Sequence, residues 1–284
     1  LGRTFLAPAK VNLFLKVLWK RDDGYHEIMS LVDIISIFDL IRITSTDENE
    51  IVVKRISGEM PEGKENIIYR AVNLLKDKYG IKKGVTVEVK KRIPLGAGLG
   101  GASSDAATVI RALTEIWALR VPDSELMEIG KNLGADVPLF LHGSPCVIRG
   151  IGEKIEPINL PSIWYVVIYP GVEISTREVY GHLKIVLTKR ENDIKLSCNF
   201  NSLDEIVSAL ENDLEETAAS ICPQIKRLKE MLILHGAKGA LMSGSGSSVF
   251  GCFESKEKAE RAAKNLLSYG RVFVARSIGR HSWK

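Results

Sequence analysis

The chain runs to 284 residues, enough for about two domains at roughly 150 residues each and for a core that needs no covalent staples. With 45% hydrophobic and 26% charged residues it is neither disordered nor collagen-like. The 39 basic and 35 acidic residues leave a net charge of +4 with no block of five or six basic side chains, which argues against a nucleic-acid partner and suits an anionic small molecule.

The longest apolar run, Trp164 to Pro170, falls far short of the roughly 18 residues needed to cross a bilayer. No basic segment followed by an apolar one opens the chain, so no membrane partner is expected. The four cysteines, Cys146, Cys198, Cys222 and Cys252, form no C-x-x-C pair; this points away from a disulfide framework or zinc site and fits a reducing, cytoplasmic setting.

In chain order, Phe5, Ala7 and Ala9 alternate with polar or small residues, and Asn12 to Leu18 continues extended. Asp22-Asp23-Gly24 is turn chemistry, followed by two apolar-rich segments, Glu27 to Ile35 and Phe38 to Thr44. Ile67, Ala71, Leu74, Leu75 and Tyr79 recur at helical spacing, with Gly80 as the stop. Val85, Val87 and Val89 then alternate with polar residues as a half-buried strand. After a glycine-rich break come a helix carrying Ala106, Val109, Ile110, Leu113 and Trp117, and a second from Pro122 to Leu133 that ends at Gly134. Ala135-Asp136-Val137-Pro138 reads as a loop because of its proline. The pattern restarts with an apolar strand, Trp164 to Tyr169. It closes with a helix (Gln224 to His235), two strands (Ala237 to Met242, Ser248 to Phe253), a helix (Lys256 to Ser268) and a strand (Arg271 to Ser277). Strand-rich and helix-rich blocks alternate without regular βαβ spacing, so the fold class is α+β. A boundary between residues 150 and 162 separates domains expected at 1–155 and 156–284.

Glycine accounts for 24 of 284 residues, so a random six-residue window holds about half of one, yet Gly96 to Gly101 holds four. Such a loop turns its N–H groups inward and opens into a helix whose first turn carries unpaired donors and a positive dipole end. Together they form an anion site that suits phosphates. Ser103 and Ser104 add hydroxyls for a cap, a phosphate or a metal. Gly96-x-Gly98-x-x-Gly101 satisfies the dinucleotide fingerprint formally, but the strand before it alternates and Pro94 intrudes, unlike a central strand of a dinucleotide fold. No Gly-Lys-[Ser/Thr] occurs, which removes a Walker A loop and leaves a nucleoside triphosphate as the expected ligand. A Cβ at Gly98 is expected to block the backbone's approach to the phosphates.

Three motifs in order carry a resemblance. Ala7-Pro8-Ala9-Lys10-Val11-Asn12-Leu13 stands near the N-terminus. Pro94-Leu95-Gly96-Ala97-Gly98-Leu99-Gly100-Gly101-Ala102-Ser103-Ser104 forms the glycine loop. Lys238 through Ser248, with Ser243-Gly244-Ser245-Gly246 at its centre, forms a second such loop between strands. They resemble the GHMP kinases. Asp23-Gly24-Tyr25-His26-Glu27, Gly134-Ala135-Asp136-Val137-Pro138 and Gly150-Ile151-Gly152-Glu153 are similar to the 4-diphosphocytidyl-2-C-methyl-D-erythritol kinase family within them. The resemblance implies an N-terminal domain like the second domain of ribosomal protein S5, carrying ATP and catalysis, and a ferredoxin-like C-terminal domain. It also implies transfer of the γ-phosphoryl of ATP to the 2-hydroxyl of a cytidine-diphosphate-linked methylerythritol in non-mevalonate isoprenoid synthesis.

Residue by residue, the resemblance places Lys10 and Asp136 at the reaction centre. A lysine cation can stabilise the transferred charge, and a carboxylate can accept the hydroxyl proton or orient the hydroxyl. By themselves Lys10 reads equally as a solvent-side lysine and Asp136 as a turn aspartate. Pro94 to Ser104 would bind ATP, and Ser243, Gly244, Ser245 and Gly246 would face that loop. Tyr25 and His26 would supply a stacking face and a hydrogen bond to the cytosine, with Asn12 also touching substrate. Thr176 resembles a family threonine near the phosphates. His142, His182, His235 and His281 show no ligand spacing. Magnesium is expected to enter with ATP, Ser104 being a possible ligand and no dedicated acidic pair being visible.

Overall fold

The computed structural model describes residues 2–183 and 199–279, so Cys198 and His281 lie outside the described residues. The first strand, β1 (Arg3–Lys20), is shielded from solvent at every position from Ala7 to Leu18, which places it in the middle of the molecule. The turn at Asp22 to Gly24 reverses the chain into β2 (His26–Thr46). The two apolar segments read from the sequence are one strand. Pairing passes from Pro8–Phe38 to Ala9–Ile35 and leaves Ser36 and Ile37 as a bulge, which interrupts the alternation without ending the strand.

β3 (Ile51–Ser57), β4 (Gly84–Lys90), β5 (Cys146–Gly150) and β6 (Lys154–Pro157) extend this sheet. Its order is β3-β4-β2-β1-β8, where β8 is the two-residue strand Glu211–Asn212; β5 pairs with the first part of β2, and β6 with β5. Against it lie α1 (Ile67–Tyr79), α2 (Gly101–Ile116), α3 (Asp123–Lys131) and α4 (Val137–His142). Asn66 starts α1 by accepting the Ile68 N–H at 2.8 Å, and Gly80 ends it at φ 63°. The inward valines of β4 meet Ile68, Ala71 and Leu75 of α1 and Ile110 and Leu113 of α2 in one apolar cluster.

The segment expected as a loop at Ala135 to Pro138 proves otherwise, because Val137 opens α4 and Asp136 is its N-cap residue. Pro138 sits in the first turn, where a missing N–H costs nothing. The proline that suggested a loop is a helix start.

The second sheet, ordered β11-β7-β10-β9, contains β7 (Trp164–Tyr169), β9 (Gly239–Met242), β10 (Val249–Phe253) and β11 (Arg271–Arg276). Between β7 and β9 come α5 (Thr176–Gly181), α6 (Leu203–Ser208), α7 (Glu215–Ile221) and α8 (Gln224–Leu234); α9 (Lys256–Leu266) joins β10 to β11. The β-α-β-β-α-β order is that of a ferredoxin-like unit. All bounds from α8 onward lie within two residues of the periodic segments, and the α+β class holds. One face of this sheet (Tyr165, Val167, Phe250) packs on Ala9, Val11, Leu31 and Ile35 of the first, while Val166 and Ile168 face Leu228 and Leu232 of α8 and Ala259 and Ala262 of α9.

At the join, Asp33 of β2 is fully buried and accepts hydrogen bonds from Tyr165 at 2.7 Å and Ser277 at 2.5 Å. Burial pushes its carboxyl up to about 6, against the pull of those two donors. A carboxyl whose folded pKa exceeds its unfolded value of 3.8 favours the native state when protonated; its unfavourable contribution is absent below that value and complete above about 6. The stability of the native protein minus that of Asp33→Asn is therefore expected to rise as pH falls from about 7 to about 4, by at most about 3 kcal/mol. Urea midpoints at the two pH values measure it, and a difference independent of pH contradicts the burial account.

Candidate active site

Alternation along β1 puts Lys10 and Asn12 on one face. Lys10 is 5% exposed, and its Nζ donates to Asn12 Oδ1 at 2.5 Å. Asn12 Nδ2 donates in turn to Ser30 Oγ at 2.9 Å, and Ser30 to the Phe14 carbonyl. The chain fixes the amide's orientation and so the direction of the lysine. Burial lowers the Lys10 pKa, and the charge of Asp136 opposes that fall.

The first glycine loop lies directly on this strand, with the Lys10 N–H donating to the Leu99 carbonyl at 3.0 Å. Gly100, at φ 72°, is the N-cap residue of α2; a Cβ there would meet the Phe140 ring at 2.8 Å and Lys10 Cγ at 3.2 Å. The second glycine loop comes down from the other side. Ser243 Oγ donates to the Gly98 carbonyl at 2.9 Å, and a Cβ on Gly244 would stand 3.0 Å from Lys10 Nζ. The expectation for Gly98 therefore changes. At φ 75° its missing Cβ would lie 2.0 Å from the Ser243 carbonyl oxygen, so what requires glycine here is loop-against-loop packing.

A cavity of about 920 Å³ opens between the loops, lined by Lys10, Asn12, Tyr25, His26, Asp136, Gly244 and Ser245, by residues 94–98 and by 100–103. Four expected residues are not on its wall. Leu99 packs in the core and offers its carbonyl to Lys10. Ser104 is 0% exposed within α2, so the hydroxyl facing the cavity is that of Ser103. Ser243 lies behind the wall as the bond to Gly98, and Gly246 closes the turn by donating its N–H to the Ser243 carbonyl at 3.0 Å.

Tyr25 and His26 reach the cavity but do not pair with each other. Tyr25 stands at the rim, 60% exposed, with its N–H held by Asp23 Oδ1 at 3.1 Å. His26 instead lies against Tyr180 of α5, ring centroids 5.0 Å apart and planes tilted 31°. Partial burial, with Lys20 nearby, lowers the His26 pKa, which favours a neutral ring offering both a donor and an acceptor. Thr176, one helical turn before Tyr180, meets Ser245 Oγ at 2.8 Å and ties α5 to the second glycine loop. The spacing of four from Thr176 to Tyr180 was the available signal for this aromatic wall.

A second group went unread. Lys91 lines the cavity from beneath the first glycine loop, with its Nζ bonded to Asp39 and, at 2.6 Å, to Asp105 of α2. Asp39 also accepts the N–H groups of Arg92 and Ile93, the latter at 2.9 Å, just past the last ladder pair of β4. Burial drives the Asp105 carboxyl up to about 8, with Lys91 opposing. The strand's own period gave a hint: Lys91 continues Val85, Val87 and Val89 on the inward side. Among the described residues no three His, Cys, Asp or Glu side chains gather as a metal cage.

Two glycine loops close on one buried lysine, and comparison with known proteins gives the class. The GHMP kinases N terminal domain model matches residues 66–144, and the GHMP kinases C terminal model matches 194–272. A 4-diphosphocytidyl-2-C-methyl-D-erythritol kinase of Syntrophotalea carbinolica is 43% identical over 266 residues, 93% of this chain and 94% of that one. Another, from Clostridioides difficile, is 40% identical, covering 95% of this chain and 93% of its own. The crystal structure of a 4-(cytidine 5'-diphospho)-2C-methyl-D-erythritol kinase matches with a TM-score of 0.80 at 36% identity, over 98% of this chain and 100% of that one. Mevalonate kinase from L. major, at 18% identity and a TM-score of 0.74 over 98% and 96% of the two chains, shares the fold. The chain belongs to the 4-diphosphocytidyl-2-C-methyl-D-erythritol kinase family of the GHMP kinases.

Proposed function

We propose that this protein transfers the γ-phosphoryl group of ATP to the 2-hydroxyl of 4-diphosphocytidyl-2-C-methyl-D-erythritol, in the cytoplasm, as a step of non-mevalonate isoprenoid precursor synthesis. The observation that carries the reading is Lys10, buried between two glycine loops in one cavity with Asp136. Residues 1–155 carry the nucleotide and the catalytic groups, and 156–284 bring the second glycine loop and α5 to the acceptor.

The N–H groups of the first glycine loop and the first turn of α2 receive the phosphates. Asp136 takes the proton of the 2-hydroxyl as its oxygen attacks the γ-phosphorus, and the bond to the bridging oxygen of ADP breaks. Lys10, whose charge burial disfavours in the empty site, is driven toward its cationic form by the arriving phosphate anions and balances the charge of the transferred group. Magnesium bound with the nucleotide would neutralise phosphate charge, and the hydroxyls of Ser103 and Thr176 on the cavity wall are the groups that would face it.

The decisive assay follows ADP release with the cytidine acceptor, mevalonate and homoserine in parallel. Turnover with the cytidine acceptor alone is the expected result; turnover only with another alcohol overturns the reading. Tyr25→Ala, His26→Ala and Tyr180→Ala are each expected to weaken the acceptor by about ten- to a hundred-fold, the scale of one lost base stack or base-edge hydrogen bond. ATP affinity should stay unchanged, measured by calorimetry. Equal losses for both ligands would remove these side chains from the base pocket.

A further inference from the structure

Five consecutive residues, Glu211-Asn212-Asp213-Leu214-Glu215, lie between β1 and the second glycine loop, and every polar side chain among them is engaged. On one side the segment is fastened to β1. Phe14 and Leu15 pair in parallel with Glu211 and Asn212, and the Asp213 N–H donates to the Leu15 carbonyl at 2.9 Å. Lys16 binds both Glu211 and Asp213, the latter at 2.9 Å, and Asp213 Oδ2 accepts the Val17 N–H at 2.9 Å.

On the other side the segment holds the loop. Asn212, 8% exposed, donates from its one amide nitrogen to the carbonyls of Met242 at 2.9 Å and Gly244 at 2.8 Å, while its Oδ1 accepts the Leu214 N–H at 3.0 Å. Glu215 adds a third tie by accepting the Met242 N–H at 2.9 Å. The amide thus uses both donors and its acceptor, so its orientation is set by three backbone groups at once. Gly244 is the residue that leaves room for Lys10 Nζ and Asn12 Oδ1. Lys10 lies only four residues before Phe14 on the strand to which the segment is fastened.

We propose that Asn212 is a positioning residue for phosphoryl transfer, setting the height of the Ser243 to Gly246 loop above Lys10. No other residue described here bonds directly to the Gly244 carbonyl while sitting in the ladder of the strand that carries the lysine. Asparagine suits the task and aspartate does not, because an ionised carboxylate would present lone pairs to two carbonyl oxygens. The proposal rests on the kinase reading above, but its test separates the two.

Asn212→Asp keeps the acceptor for Leu214 and removes both donors. The expected result is a kcat lower by about 10- to 100-fold, as for a displacement of about 1 Å beside the chemistry, with KM for ATP and for the acceptor changed less than about threefold. Amide hydrogen exchange at residues 244–248 should quicken at least about tenfold, while that of residues 9–13 holds. Should the charged variant fail to fold, Asn212→Ala carries the same expectations without the new charge. Wild-type kcat in a folded variant, or a KM increase that accounts for the whole loss, overturns the proposal. If the native protein does not phosphorylate the cytidine acceptor, the kinase reading falls by itself. Exchange then decides the positioning claim, and an unchanged rate at residues 244–248 overturns it.

Discussion

Asp136→Asn is expected to lower kcat by at least about 10²-fold while leaving KM for both substrates near the native value. The isosteric amide keeps the N-cap position of α4, where the Asp136 side chain makes no capping hydrogen bond, so no cap bond is lost by the exchange. Under the proposed function, what is lost is the group that takes the hydroxyl proton, which matters as the new bond forms. The substitution also removes the charge that opposes the fall in the Lys10 pKa, so the lysine of the variant should shift further toward its neutral form. Steady-state kinetics with the cytidine acceptor measure the first effect. Turnover near the native rate in a folded variant would take proton transfer away from Asp136.

Gly98→Val is expected to lower kcat/KM by at least about 10²-fold, with Gly98→Ala showing most of the same loss. A Cβ at this position would lie 2.0 Å from the Ser243 carbonyl oxygen and 3.1 Å from that of Gly246, both backbone atoms that cannot swing aside. The φ of 75° adds strain for any side chain with a Cβ. The second glycine loop must therefore lift away from the first, and it carries with it the Gly244 wall beside Lys10. Circular dichroism should show a folded protein, since the clash lies at a surface cleft between two intact cores. Calorimetry with ATP then reads the damage, and native ATP affinity together with native kcat/KM contradicts the packing argument.

How much the sequence discloses depends on whether the signal is local. The glycine loop of residues 96–101 is legible because its composition is far from average, and Gly80 marks the end of α1 because a cap acts over three or four residues. The strand and helix periods in the second half are equally local. β3 was invisible because most of it is only half-buried and three of its residues face solvent, so no alternation marks it. β8 spans two residues, too few for any period. Pro138 misled because a proline in the first turn of a helix and a proline in a loop look alike one residue at a time.

The site followed the same rule. Lys10 and Asp136 are 126 residues apart, and nothing near either one sets it apart from an edge lysine or a turn aspartate. Their pairing came from the ordered motifs. Tyr180 was missed because its partner, His26, lies more than 150 positions upstream, and only the packing of α5 against the β1–β2 turn brings the rings together. Lys91 could have been found: a lysine in phase with three inward valines carries its amine into a buried place, where keeping the charge requires acidic partners.

The pairing of β1 with β8 also bears on how the protein is made. β1 is synthesised before every other element described, yet its outer edge at Phe14 and Leu15 waits for a partner about 200 residues later. At synthesis rates of roughly 5–20 residues per second, that interval is roughly 10–40 s. During it the nascent chain carries an open strand edge, the kind of surface that a chaperone shields. The loop that faces Lys10 emerges later still, so a chain abandoned part-way holds the first glycine loop without the groups that close over it. A chain that ends before Ser243 is therefore expected to lack phosphotransfer activity.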